Sequence, residues 1–239
     1  GRETFILPVD WSGKYPIFEN GLIPIEPKMK MPEGVENKSG KEGFFPNGNF
    51  LFQDNFKSEK LDYRWIGVRG PREEFINIGK TGITITPFAV NLKEVVPTST
   101  LFHRQQHRYF SATTTMNYVP SSDKDLAGMV CYQSERFYYL FGVTKKGNQD
   151  YLILQRTERG SSTTIASTPI QTNKPLTLQI RAKGDEYNFN YSIDGEIFHT
   201  LGGAVSGDIL STDVAGGFTG NLIGLHATTK NDAEVEIKP

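Results

Sequence analysis

Two histidines stand four residues apart in "HRQQH", His103 to His107. On a helix that spacing puts both imidazoles on one face, where they could hold a zinc ion. Helical zinc sites of the peptidase type place a glutamate base directly after the first histidine; this chain has Arg104 there. The following residues argue for a strand. Phe110, Ala112, Thr114, Met116 and Tyr118 alternate with Ser111, Thr113, Thr115 and Asn117, a period of two filled with β-branched and aromatic types. On one strand running through the segment, His103 and His107 share a face but stand about 13 Å apart, too far for one metal ion. What remains is a polar leader, His103 to Arg108, whose planar donors and acceptors suit two roles. They are a solvated strand start, or they line the edge of a concave face and touch a sugar or another domain. Residue types leave both open; under the second, Arg104 and Gln106 are the candidate sugar contacts.

Other groups that could do chemistry are sparse. Cys131 is the only cysteine, so an intramolecular disulfide is excluded, and its apolar setting "AGMVCYQ" reads as buried packing. A glycosidase needs two carboxylates facing one sugar. Glu59 and Asp62 are three apart and would face opposite sides of a strand; Asp185 and Glu186 are adjacent in a turn; Glu234 and Glu236 share a face near the end of the sequence. The first two sets lack the even spacing of a glycosidase pair on one strand, and Glu234 and Glu236 have it only at the exposed end of the sequence. No Gly-x-Ser-x-Gly elbow occurs, and no glycine-rich loop precedes a helix.

The elements that must position these residues are strands. The chain has 239 residues and a formal net charge of −1, from 26 basic and 27 acidic side chains. No basic excess favours nucleic acid, no apolar run approaches the eighteen or so residues of a membrane span, and no signal-peptide pattern opens the sequence. The start, "GRETFILPVDW", reads as a strand without an initiator methionine, as a piece of a longer chain or one stripped of a leader would present. Strand-like runs fall at 50–56, 62–68, 74–78, 82–86, 107–118, 126–133, 136–144, 150–157, 162–169, 175–182, 186–192, 196–200, 220–227 and 233–237. Turn signals "KKGNQD", "RGSS", "AKGDE" and "IDGE" punctuate them, the last with an Asp-Gly suited to a tight hairpin. The pattern predicts an all-β, two-sheet antiparallel sandwich. In "RFYYLFGV" both alternating sets are apolar, which predicts a central strand buried on both faces. The stretch 24–49, rich in Pro, Gly, Lys and Glu, predicts a linker, so that 1–49 forms an extended N-terminal arm and 50–239 the sandwich.

The stretch "LFHRQQHRYFSATTTMNYVPSSDKDLAGMVCYQSERFYYLFGV" resembles the C-terminal concanavalin A-like sandwich of glycoside hydrolase family 43, the β-xylosidases and α-L-arabinofuranosidases. In that family an Arg-Gln-Gln-His run precedes a Phe-x-Ala-x-Thr strand, a proline-ended turn and a tyrosine-rich strand. Three more pieces resemble it in order: "FLFQDNFKSEKLDYRWIGVRGP" its sandwich opening, "GGFTGNLIGLHAT" its glycine-rich late strand, and "GRETFILPVDWSGKYPIFENG" the end of its catalytic propeller. The resemblance implies a jelly-roll sandwich whose partner is a five-bladed catalytic propeller carrying the catalytic carboxylates, none of which matches a residue here. It implies that Phe218 turns an aromatic ring toward the propeller's pocket for a xylo- or arabino-oligosaccharide. It also implies a candidate structural calcium between Asp54 and Glu236, although the family's Asp-Trp-Phe ending is replaced here by "EVEIKP"; no other cofactor is called for. A hemicellulose-degrading parent points to a secreted or periplasmic setting. The alternative is a stand-alone carbohydrate-binding module, with Trp65, Tyr132, Tyr138, Tyr139 and Tyr187 as candidate platforms, each also suited to a core.

Overall fold

The structure, a computed structural model, describes residues 7–18, 49–70 and 72–229 and the backbone of 235–238. The chain divides into two compact units, 1–52 and 53–239. The described part of the first is a small antiparallel hairpin, β1 (Val9–Asp10) against β2 (Ile17–Phe18). Asp10 starts its turn by accepting the Ser12 N–H at 2.8 Å, an Asx turn. The linker predicted over 24–49 lies, except for Asn49, outside the described residues.

The second unit opens with β3 (Ile76–Gly79), β4 (Gly82–Ile85), β5 (Thr100–Arg104) and β6 (Tyr109–Asn117). Long strands follow: β7 (Leu126–Ser134), β8 (Phe137–Lys146), β9 (Gln149–Glu158), β10 (Ser161–Pro169), β11 (Leu176–Lys183) and β12 (Glu186–Ser192). The pairs β13 (His199–Thr200) and β14 (Val205–Ser206) are short, and a one-turn helix, α1 (Thr212–Ala215), precedes β15 (Leu222–Thr228) and β16 (Val235–Lys238). Among the described residues these strands make two antiparallel sheets. One has six strands in the order β10-β9-β8-β7-β15-β5; the other has eight, β13-β12-β11-β6-β16-β4-β3 with β14 beside β12.

Period-two sequence drives the layering. Leu178, Ile180 and Phe189 of the eight-stranded sheet pack against Tyr139, Phe141 and Leu152 of the six-stranded sheet, with the Phe141 and Phe189 rings 5.5 Å apart. Each such side chain contributes roughly 1.5–3 kcal/mol on burial. The outer face of the six-stranded sheet is apolar too: Phe102, Val130, Tyr132, Tyr138 and Leu140 form a second cluster capped by Leu92. This is the two-sided burial that "RFYYLFGV" predicts, with Phe137, Tyr139 and Phe141 in one cluster and Tyr138 and Leu140 in the other. His226 is buried on the outer side of β15, its Nδ1 3.2 Å from the Ser99 carbonyl.

Several strand readings need correction. Residues 50–56 and 62–68 are not strands, apart from an isolated bridge from Ile66 to Phe102. Side chains divert their backbone: Asp54 accepts the Phe56 N–H at 2.8 Å, and Asp62 accepts the Arg64 N–H at 2.9 Å. Such local turns compete with sheet bonding. The turns at 146–149, 158–161 and 183–186 are two-residue hairpins; Arg159 and Gly160 both take positive φ, 51° and 83°, as a type I′ turn requires. "IDGE" instead opens a wider loop, because Asp194 accepts the backbone N–H of both Glu196 and Ile197.

Candidate functional site

The segment 101–118 is two strands, not one. β5 ends at Arg104 in the six-stranded sheet and β6 begins at Tyr109 in the other, so "QQHR" is the crossover between layers. The same-face reading of His103 and His107 along a single strand is therefore corrected, and no helix is present to bring them together. His103 Nδ1 lies 2.9 Å from the Arg104 carbonyl, and its ring meets Trp65 edge-on at 6.0 Å between centroids.

The crossover works as a clamp on the loop "GGFTGN". Arg104 Nη1 donates to the Thr219 carbonyl at 2.9 Å. The Gln105 N–H donates to the Asn221 carbonyl at 2.9 Å, and Gln105 Oε1 accepts from Asn221 Nδ2 at 2.5 Å and from the Tyr187 hydroxyl at 2.9 Å. Gln105 Nε2 returns to the crossover by donating to the His107 carbonyl at 2.9 Å. From the end of β7, the buried Gln133 donates to the Gly216 carbonyl at 2.8 Å. The loop is thus held on both sides of Phe218, whose ring is 69 % exposed. Gly216, Gly217 and Gly220 have φ of 73°, 75° and 76°, a backbone that glycine adopts without steric cost. Upstream, Ser211 caps α1 by accepting the Val214 N–H at 3.3 Å, and buried Ile209 and Leu210 anchor the approach.

Of the sequence-predicted residues, Phe218 and Arg104 are brought together in this loop, with Arg104 serving the backbone beside the ring. Gln106 is exposed on the crossover. Gln105, not singled out by the sequence, is the hub; its signal was present only as one glutamine of two adjacent ones. Burial pushes the Tyr187 hydroxyl up to about 12, the Gln105 amide offsetting part of the rise, so it stays a neutral donor to Gln105. Tyr132, Tyr138, Tyr139 and Tyr187 are buried and Trp65 is half-buried; these rings pack the interior and are not platforms.

Asp54 Oδ1 accepts the Phe56 N–H and Oδ2 accepts the Trp65 indole N–H at 2.7 Å. Glu236 sits in β16 opposite Asn117 and Thr84, and its side chain lies outside the described residues. Calcium takes six to eight oxygens; among the described residues no group of three or more His, Cys, Asp or Glu is arranged to hold a metal. No helix among the described residues is long and apolar enough to cross a membrane.

Residues 53–237 match the family described as the β-xylosidase C-terminal concanavalin A-like domain. A solved structure of a GH43_12 retrieved from a capybara gut metagenome is 45% identical, with a TM-score of 0.80 over 93% of this chain and 43% of that one. The non-reducing end α-L-arabinofuranosidase BoGH43B of Bacteroides ovatus is 24% identical over 98% of this chain and 42% of its own length. A xylosidase/arabinosidase of Butyrivibrio fibrisolvens is 24% identical over 96% and 43%. This chain spans less than half the length of each of these relatives.

Proposed function

The chain belongs to the family of β-xylosidase C-terminal concanavalin A-like domains, and from that membership we propose that it is the accessory sandwich of a β-xylosidase or α-L-arabinofuranosidase acting on hemicellulose. In this role it braces a catalytic propeller, supplied by another stretch of polypeptide, and closes one wall of the propeller's xylo- or arabino-oligosaccharide pocket with Phe218. The observation that carries the reading is an exposed ring on a loop whose backbone is tied at Gly216, Thr219 and Asn221. A ring held in advance loses little freedom when a sugar arrives. Its apolar face packs on the pentose and excludes water, which strengthens the electrostatics of carboxylates across the pocket. Such a parent works where the polymer is, secreted or periplasmic.

The test is kinetic. In an enzyme assembled from this chain and a separately expressed propeller, Phe218→Ala should lower kcat/KM on aryl xylosides or arabinosides by roughly tenfold, the range expected for lost pocket contacts. An unchanged value would leave bracing only. Substantial hydrolysis by this chain alone would overturn the accessory role.

A further inference from the structure

The outer face of the eight-stranded sheet carries a groove of about 590 Å³, within the range of small-ligand clefts. Alternation along β6, β11 and β12 sends Ile180, Ala182, Tyr187 and Phe189 inward and leaves Ser111, Arg181 and Asn188 on this outer side. Arg181 is paired in register with Ser111 on one flank and Asn188 on the other. The next row is bonded into a ladder: Gln179 Nε2 donates to Thr113 Oγ1 at 3.3 Å, Asn190 Nδ2 to Gln179 Oε1 at 3.2 Å, and Thr200 Oγ1 to Asn190 Oδ1 at 2.8 Å. Such a chain fixes the planes of its amides before any ligand arrives. Tyr109, 70 % exposed, stands at the end of the groove.

Charge decides what the groove suits. Lys183 and Glu186 face each other in register, and the Glu186 carboxylate accepts from Asn188 Nδ2 at 3.0 Å. Arg181 is exposed and forms no ion pair among the described residues. The floor therefore carries two cations, Arg181 and Lys183, against the one carboxylate of Glu186, a net excess of one positive charge among hydroxyls and amides. The planar fork of Arg181 matches a carboxylate through two parallel hydrogen bonds, while hydroxyls, amides and a tyrosine ring suit a sugar's oxygens and apolar face. A net excess of one positive charge is too little for a nucleic-acid backbone.

We propose that this groove is a second saccharide site that takes an oligosaccharide bearing a uronic acid, its carboxylate held by Arg181 and its ring hydroxyls by Ser111, Asn188 and Thr200. The proposal deepens the hemicellulose reading, on which it rests for the kind of polymer, and gives the sandwich an anchoring role on acid-substituted chains.

Calorimetry and amide chemical shifts on the full chain test it with three probes: xylotriose, xylotriose carrying one glucuronic acid, and trigalacturonate. The acidic probes should bind about tenfold or more tightly than xylotriose, as a charge-assisted pair warrants. Their binding should weaken with salt and shift the amides of Ser111, Arg181 and Asn188. The tighter acidic probe identifies the polymer of origin. Arg181→Gln should abolish the preference, and Arg181→Lys should retain part of it. No binding of either acid, equal binding of xylotriose, or shifts elsewhere on the molecule would overturn the proposal, whatever the variants do. Arg181→Gln should leave aryl pentoside hydrolysis by the assembled enzyme unchanged, and Phe218→Ala should leave acid-sugar affinity unchanged, so failure here and failure of the pocket-wall role are read separately.

Discussion

Arg104 Nη1 and the Thr219 carbonyl meet at 2.9 Å, joining the last residue of β5 to the residue that follows Phe218. The guanidinium is exposed, so the bond fixes the loop more than it stabilises the fold. Arg104→Met should therefore lower kcat/KM of an assembled enzyme severalfold, about what one solvent-exposed hydrogen bond contributes. The midpoint of urea unfolding should shift by less than about 0.5 kcal/mol equivalent. A large stability loss with unchanged kinetics would contradict this division.

Gln105 answers to a different expectation, because its amide sits between three partners in a half-buried setting. Gln105→Ala leaves the Tyr187 hydroxyl, Asn221 Nδ2 and the His107 carbonyl without it and should cost about 2–3 kcal/mol. Gln105→Glu keeps both acceptor bonds, now to a charged oxygen, but replaces the donor by an oxygen that repels the His107 carbonyl; the two retained bonds outweigh that one contact, so its loss should be smaller. Equal losses in chemical denaturation would show that the acceptor bonds do not matter.

Acid should act through His226. Full burial holds its imidazole down at about 4 from an ordinary 6.5, the hydrogen bond to Ser99 opposing that effect. The folded state thus refuses a proton that the unfolded chain accepts. The contribution is fully present above pH 6.5 and is lost as pH falls toward 4, amounting to roughly 3 kcal/mol. Urea midpoints measured from pH 7 to pH 4 should fall steeply in the parent and less in His226→Gln, which can still donate to the Ser99 carbonyl. Parallel pH profiles would remove His226 as the cause.

Gly224 lies on β15 where the β5 backbone approaches. A Cβ added there would fall inside contact distance of the Leu101 carbonyl and 2.8 Å from Phe102 Cα. Backbone cannot step aside as a side-chain tip can, so Gly224→Ala should cost about 3 kcal/mol. Gly203, where an added Cβ meets nothing within 4 Å, is the control and should change stability by less than about 0.5 kcal/mol. A tolerated Gly224→Ala would mean that β5 and β15 separate easily.

The strands from 126 to 192 were legible because each long run alternates or is wholly apolar, and four of them end at turns that hold Gly147, Gly160, Gly184 or Gly195. The region around the site was harder. Residues 50–56 and 62–68 carry the apolar content of strands, yet Asp54 and Asp62 bend the backbone through bonds that composition does not display. The end of β5 and the start of β6 read as one strand because nothing local marks a change of sheet at Gln105 to Arg108. Phe218 stands out in the sequence only through the family likeness of its stretch; Gln105 does not stand out, because its partners Tyr187 and Asn221 lie 82 and 116 residues away.

By itself the sequence determined a pleated, all-β chain with one buried thiol, an apolar interior on both sides of its central strand, and a glycine-bracketed phenylalanine in a stretch of known family likeness. Those properties follow from period, side-chain volume and backbone freedom, which act between neighbours along the chain. Only the tertiary structure decided that "QQHR" crosses between sheets and grips the Phe218 loop, and that Arg181 stands on the outer face without an acidic partner among the described residues. Both depend on strand order and register, which bring together groups remote in sequence.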